Sequence, residues 1–136
     1  MDAKRILVVD DEAHIRQLVE VNLSEQGYVV DCVDSGDDAL NALLTDNYDL
    51  IILDGSLPDI SFAEMLDRLK ADLETQQMPV IYLLSSRQEI KTLEMSRPAK
   101  CCYLTKPFRP IELVAFTRMV FGTLDGSQTV CVHLKI

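Results

Sequence analysis

The sequence predicts a doubly wound α/β fold, in which helices cover both faces of a five-stranded parallel sheet. Short, mainly apolar segments of five to seven residues alternate with amphipathic segments as far as residue 121. Most of these runs are apolar at nearly every position, which indicates strands that are buried on both faces. Strict alternation of strands and helices implies right-handed crossovers and a parallel sheet.

The elements can be placed from apolar spacing and helix-boundary residues. Gly27 is expected to end the first helix, because glycine often follows a helix C-terminus. Ser35 is the predicted N-cap of the second helix, with Asp38 three residues later. Pro110 suits the start of the fifth helix. The predicted strands cover 5–10, 28–33, 48–54, 79–84 and 101–105, and the predicted helices cover 12–25, 35–47, 61–72, 87–95 and 110–121.

The length of 136 residues favours one domain, which we place at 1–121. The tail, 122–136, does not continue the alternation. It contains a turn pattern, followed by "TVCVHLKI", in which apolar and other residues alternate as in a strand. Three interpretations stay open for this tail: an extra edge strand, a pairing element between subunits, or the start of an output domain.

Composition excludes several classes of protein. The net charge of −9 disfavours direct nucleic-acid binding, because an acidic chain repels phosphate backbones. A signal peptide is not evident, and every apolar run is shorter than the ~18 residues of a membrane span, so a cytoplasmic protein is expected. The four cysteines form no CxxC pair, which makes a zinc site improbable. Cys101 and Cys102 are adjacent in a strand and should face opposite ways, as one buried and one exposed thiol.

Charged and hydroxyl side chains follow four of the five predicted strands. The carboxyl ends of parallel strands meet at one edge of the sheet, where such folds bind ligands. Asp11 or Glu12 could instead cap the first helix, but that does not explain the whole set. The residues at strand ends are Asp10, Asp11, Asp54, Ser85, Ser86 and Lys106.

Three carboxylates at one edge would repel one another and raise one another's pKa. A divalent cation resolves this conflict, and Mg²⁺ is favoured because it binds oxygen ligands while keeping several waters. A neighbouring lysine and hydroxyls suit a phosphoryl group. The pattern therefore predicts a Mg²⁺ site that handles phosphate.

Three motifs in this order resemble those of response regulator receiver domains: "ILVVDDE" (6–12), "LIILDGSLPD" (50–59) and "YLTKPF" (103–108). The resemblance covers about 4–121 and implies strand order 2-1-3-4-5. It implies that Asp54 accepts a phosphoryl group from a sensor histidine kinase or phosphotransfer protein. It further implies Mg²⁺ bound by Asp10, Asp11, Asp54 and the carbonyl of Ser56.

The resemblance also assigns the remaining parts of a phosphate-driven switch. Lys106 would contact the phosphoryl group, and the bond to Pro107 would be cis. Tyr103 would be the aromatic that turns inward on activation. An output partner would use the face formed by the fourth helix, fifth strand and fifth helix, and a homodimer is compatible with it. The chain would be a signalling switch that catalyses only its own phosphorylation and dephosphorylation.

The sequence departs from the receiver pattern at three places. The hydroxyl expected after the fourth strand is assigned to Ser85, although counting from Pro79 or Lys106 places Leu84 there. Ser61 or Phe62 stands where receivers usually have glycine, so this loop should follow another path or the third helix should start earlier. Pro98 should shorten the fourth helix. The departures at Leu84/Ser85 and Phe62 favour one rival, a receiver-like interaction module that does not switch. A second rival is an aspartate-based phosphohydrolase on a similar sheet, which would need a second acid where Ser56 stands.

Overall fold

The computed structural model describes residues 3–98, 101–123 and 132–133. Within them, one parallel sheet has the order β2-β1-β3-β4-β5-β6, so the predicted order of the first five strands is confirmed. The strands are β1 Arg5–Val9, β2 Val29–Val33, β3 Leu50–Asp54, β4 Val80–Leu84, β5 Cys101–Thr105 and β6 Val132–His133. The helices are α1 Ala13–Ser24, α2 Gly36–Thr45, α3 Phe62–Ala71, α4 Arg87–Ser96 and α5 Pro110–Thr123.

Two apolar layers sandwich the sheet, because successive strand residues point to opposite faces. On β3, Ile51 and Leu53 join the layer beneath α2, α3 and α4, whereas Leu50 and Ile52 join the layer beneath α1 and α5. All four side chains are fully buried. The near-continuous apolar runs in the sequence have this cause.

Serine hydroxyls cap the N-termini of three helices. Ser35, Ser61 and Ser86 each accept a hydrogen bond from the amide three residues further on, at 3.1 Å in each case. The predicted role of Ser35 is confirmed. Each of these caps satisfies one backbone donor that the helix itself leaves unpaired.

The loop between β3 and α3 follows a path that needs no glycine. Ser61 has φ −70 and α3 begins at Phe62, so the backbone avoids the left-handed region there. Asp59 in this loop accepts hydrogen bonds from the amides of Gly36 and Asp37, each at 2.9 Å. The loop is thereby attached to the first turn of α2.

The first and fourth helices end close to the residues expected to terminate them, with α1 ending at Ser24 and α4 at Ser96. Gly27 has φ +93 beyond α1, and α4 ends at Ser96, with Arg97 in the left-handed region directly before Pro98.

At the other side of the sheet, the backbone of Val132–His133 pairs in parallel with β5. That pairing agrees with the edge-strand interpretation for these two residues, while 124–131 and 134–136 lie outside the described residues.

Both cysteine side chains of the fifth strand lie in the interior. Cys101 and Cys102 point to opposite faces as expected, but both are buried, so the expectation of one exposed thiol is wrong. The reason is that helices cover both faces of β5. Cys101 is disulfide-bonded, whereas Cys102 is a free thiol whose pKa burial raises to about 12.

The described helices contain no apolar stretch long enough to cross a membrane.

Candidate functional site

The carboxyl ends of β1, β3 and β5 bring two acids and a lysine together. Asp10 directly follows β1 and is fully buried, and Asp54 is the last residue of β3 and is 2% exposed. Lys106 follows β5 and places its Nζ 2.9 Å from Asp10 Oδ2 and 3.4 Å from Asp54 Oδ1. The convergence expected from the sequence is therefore present.

Asp11 and Glu12 complete an acidic rim around this pair. One carboxylate oxygen of each of Asp10, Asp11 and Glu12 lies within 4.8 Å of the others. The side chain of Asp11 also lies near Asp54 and contributes to raising its pKa. Lys106 Nζ donates to Glu12 Oε1 at 3.1 Å, which adds a third ion pair to those with Asp10 and Asp54.

Glu12 is the residue whose contribution the sequence reasoning missed. The sequence suggests only a cap for the first helix, and Glu12 does stand at the N-cap, but its side chain makes no capping bond. Its amide donates to Asp10 Oδ1 at 2.9 Å, and its carboxylate turns toward Lys106. The available signal was the third acid in a row after a buried strand.

The electrostatics of the site raise the pKa values of both central groups, Asp54 and Lys106. Burial, followed by the charge of Asp10, raises the pKa of Asp54 to about 7, although Lys106 and the amide of Ser56 oppose the shift. Burial by itself lowers the pKa of Lys106, but its contacts with Asp10 and Asp54 outweigh burial, so that pKa rises above its usual range. Lys106 thus stays protonated, and Asp54 holds its proton more tightly than an exposed aspartate does.

The donor set fits a hard divalent cation. Asp10 Oδ2 is buried and lacks a hydrogen-bond partner. The ammonium group of Lys106 forms an ion pair with it and offsets its negative charge. Such a carboxylate oxygen has lone pairs to offer, and Asp11 and Asp54 stand beside it. The amide of Ser56 donates to Asp54 Oδ1 at 3.0 Å, which keeps Ser56 next to the same carboxylate. The role of the Ser56 carbonyl as a ligand stays a prediction.

The end of β4 presents the two candidates for the switch hydroxyl position. Leu84 is the last strand residue, is fully buried and belongs to the layer on the α4 side of the sheet. Ser85 is the first residue beyond the strand and is exposed, and its amide donates to Glu89 Oε1 at 2.8 Å. The assignment of the switch role to Ser85 stays a prediction.

Tyr103 and Ser85 share one surface pocket. Tyr103 is 3% exposed, and burial, together with the charge of Glu94, raises its pKa. The pocket has a volume of about 400 Å³ and adjoins both β5 and the first two turns of α4. The residues that line it are Ser85, Ser86, Arg87, Ile90, Glu94, Tyr103 and Thr105. The predicted aromatic and the predicted hydroxyl therefore face the same space.

The peptide bond between Lys106 and Pro107 is cis, as predicted. The amide of Lys106 donates to the carbonyl of Leu84 at 2.8 Å, so the backbone at this bond is attached to the end of β4.

Comparison with known proteins identifies the class to which this fold and site belong. The family model "Response regulator receiver domain" matches residues 6–118, and the chain belongs to this family. It is 39% identical over 116 residues to the transcriptional regulatory protein DltR of Streptococcus agalactiae, a match covering 85% of this chain and 50% of DltR. It is 38% identical over 122 residues to the phosphate regulon regulator PhoB of Pseudomonas aeruginosa, covering 88% and 52%.

Solved structures agree with that membership. The chemotaxis response regulator CheY4 of Vibrio cholerae superposes with a TM-score of 0.79 at 25% identity, covering 88% of this chain and 99% of CheY4. The chain spans about half the length of the curated relatives it matches.

Proposed function

We propose that this receiver domain, residues 1–121, accepts a phosphoryl group on Asp54 with the help of Mg²⁺ and passes a conformational signal to a partner. The observation that supports this best is the geometry around Asp54. Its carboxylate is buried at the sheet edge, 3.4 Å from Lys106 Nζ, with Asp11 beside it. The donor would be a sensor histidine kinase or a phosphotransfer protein.

In the proposed reaction an oxygen of Asp54 attacks phosphorus and forms a new P–O bond. The P–N bond to the donor histidine breaks, and the imidazole leaves with the bonding electron pair. Lys106 is placed to pair with a phosphoryl oxygen, and its ammonium acts there as a point charge. Asp10, Asp11, Asp54 and the Ser56 carbonyl would hold Mg²⁺, which supplies positive charge between the acids and the incoming phosphoryl group.

The proposed signal passes through the pocket that Ser85 and Tyr103 share. A phosphoryl group favours one of two arrangements of the β4–β5 region, which would alter the face of α4, β5 and α5 offered to a partner or to a second copy of the chain. The relatives named above are transcriptional regulators about twice as long as this chain. A cytoplasmic location, a role as switch rather than metabolic enzyme, and the lack of direct nucleic-acid contact by this chain belong to the same proposal.

Incubation with Mg²⁺ and acetyl phosphate tests the assignment. We expect intact-protein mass spectrometry to detect one added phosphoryl group in the wild type and in Asp67→Asn, a matched exposed aspartate on α3. Asp54→Asn should stay unmodified. Labelling of Asp54→Asn at the wild-type level would overturn the assignment.

One observation favours a second candidate, an interaction module that does not switch. Leu84 ends β4 and is buried, and it has no hydroxyl to offer a phosphoryl oxygen. If no donor modifies the wild type, and beryllofluoride with Mg²⁺ leaves its NMR spectrum unchanged, this second candidate replaces the first.

A further inference from the structure

The carboxylate of Glu89 turns back from α4 toward the end of β4. Glu89 lies in the first turn of α4, and its own amide donates to Ser86 Oγ at 3.1 Å as part of the helix cap. Its Oε1 accepts a hydrogen bond from the amide of Ser85 at 2.8 Å. One side chain therefore links the helix start to the backbone that follows β4.

The same carboxylate reaches the residue next to the proposed phosphoacceptor. A Cβ atom placed on Gly55 would lie 2.8 Å from Glu89 Oε1 and 2.7 Å from Leu84 Cδ2. Because Gly55 has no side chain, both groups can occupy the space above the β3–β4 edge. Glu89 thus holds a negative charge beside the position that directly follows Asp54.

Two other backbone amides near Asp54 donate to main-chain carbonyls. The amide of Gly55 donates to the carbonyl of Leu83 at 2.9 Å, and the amide of Lys106 donates to the carbonyl of Leu84 at 2.8 Å. The Ser85 amide differs from these two, because its acceptor is a side chain that can rotate away. A phosphoryl group on Asp54 would bring acceptor oxygens and further negative charge to this edge, and like charges repel.

We propose that Glu89 occupies the Ser85 amide in the unphosphorylated protein, and that a phosphoryl group on Asp54 displaces it and takes over the amide. This inference rests on the proposed function. When Glu89 is displaced, its side chain loses its contact with the end of β4. Phosphorylation of Asp54 is thereby communicated to α4 through one hydrogen bond. Glu89 is then a positioning residue that acts through the Ser85 amide.

Beryllofluoride with Mg²⁺ serves as the phosphoryl mimic in the test. Glu89→Ala should bind it about tenfold more tightly than the wild type, because a hydrogen bond to a charged group no longer has to be broken. Glu89→Gln should show a smaller gain, because it keeps an acceptor without the charge. Glu74→Ala removes the same charge at an exposed site between α3 and β4 and should not change affinity. Ser86→Ala weakens the helix cap but keeps Glu89, and it should not raise affinity either.

Hydrogen exchange at the Ser85 amide separates this role from a merely structural one. In Glu89→Ala the amide should lose protection, and beryllofluoride should restore it. Unchanged or weaker binding by both Glu89 variants would overturn the inference, as would a Ser85 amide that beryllofluoride leaves unprotected. An equal gain in Ser86→Ala would also overturn it, since a loosened helix would then be the cause. A wild type that fails to bind the mimic overturns the proposed function itself, together with this inference.

Discussion

Replacing Asp54 by asparagine should stabilise the metal-free protein at alkaline pH and leave it unchanged in acid. The carboxyl is buried beside Asp10, and its pKa rises from an ordinary 3.8 to about 7. A group whose pKa is raised on folding holds its proton more tightly in the native state. The stability of the wild type therefore falls as pH rises from about 4 to about 7, whereas the amide side chain of the Asp54→Asn variant has no proton to lose.

The size of the effect follows from the pKa difference. About three pKa units correspond to roughly 4 kcal/mol, since each unit is worth about 1.36 kcal/mol. Relaxation of the buried site and entry of water on ionisation reduce that cost, so about half of it is expected. We therefore expect Asp54→Asn to raise the free energy of unfolding by about 2 kcal/mol at pH 8.

Urea denaturation in the presence of a chelator, at pH 8 and at pH 4, measures the difference between the two proteins. The gain at pH 8 should shrink toward zero at pH 4, where the native carboxyl is protonated. Asp67→Asn, at an exposed position on α3, should give no comparable gain. An Asp54→Asn protein that is less stable than the wild type at pH 8, or equally favoured at both pH values, would refute the reasoning.

Three further predictions concern the surroundings of the site. Mg²⁺ at a hundred times its dissociation constant should raise the unfolding free energy by about 2.7 kcal/mol in a calorimetric or urea experiment; a chelator should reverse the gain and Asp10→Asn should abolish it. Gly55→Ala should cost about 1–3 kcal/mol through collision with Leu84, and Leu84→Ala in the same chain should recover part of that cost; a strictly additive double mutant would contradict the contact. Asp59→Ala should lower the urea midpoint at pH 7, because two α2 amides lose their acceptor. This deficit should vanish in acid, since the Asp59 pKa is lowered on folding, and equal midpoints at pH 7 would refute the role of Asp59 as the acceptor for these amides.

Much of the architecture could be predicted because strand and helix periodicity are local properties. The element bounds differ from the prediction by at most two residues, as at the start of β3 and the end of α2, and those of β5 match. The meeting of Asp10, Asp54 and Lys106 was also predictable, because parallel strands bring their carboxyl ends to one edge. The cis bond before Pro107 came from the family resemblance and not from periodicity.

The parts that escaped prediction depend on side-chain direction and on distant contacts. Glu12 contacts Lys106, a residue 94 positions away, and no local pattern distinguishes that role from a helix cap. The burial of both Cys101 and Cys102 reflects helices on each side of β5. Two ways of counting along the sequence place the switch hydroxyl position on different residues, Leu84 or Ser85. Only the strand register shows that Leu84 lies opposite Thr105 at the end of β4.

The attachment of Asp59 to the start of α2 has a consequence for engineering by recombination. The loop after β3 is joined to the start of α2 by two hydrogen bonds, which the amides of Gly36 and Asp37 donate to the Asp59 carboxylate. A chimaera that imports this loop from another domain without its matching helix start leaves those amides without an acceptor. Crossover points that keep residues 35–61 in one parental block should therefore produce folded hybrids more often than points that divide them.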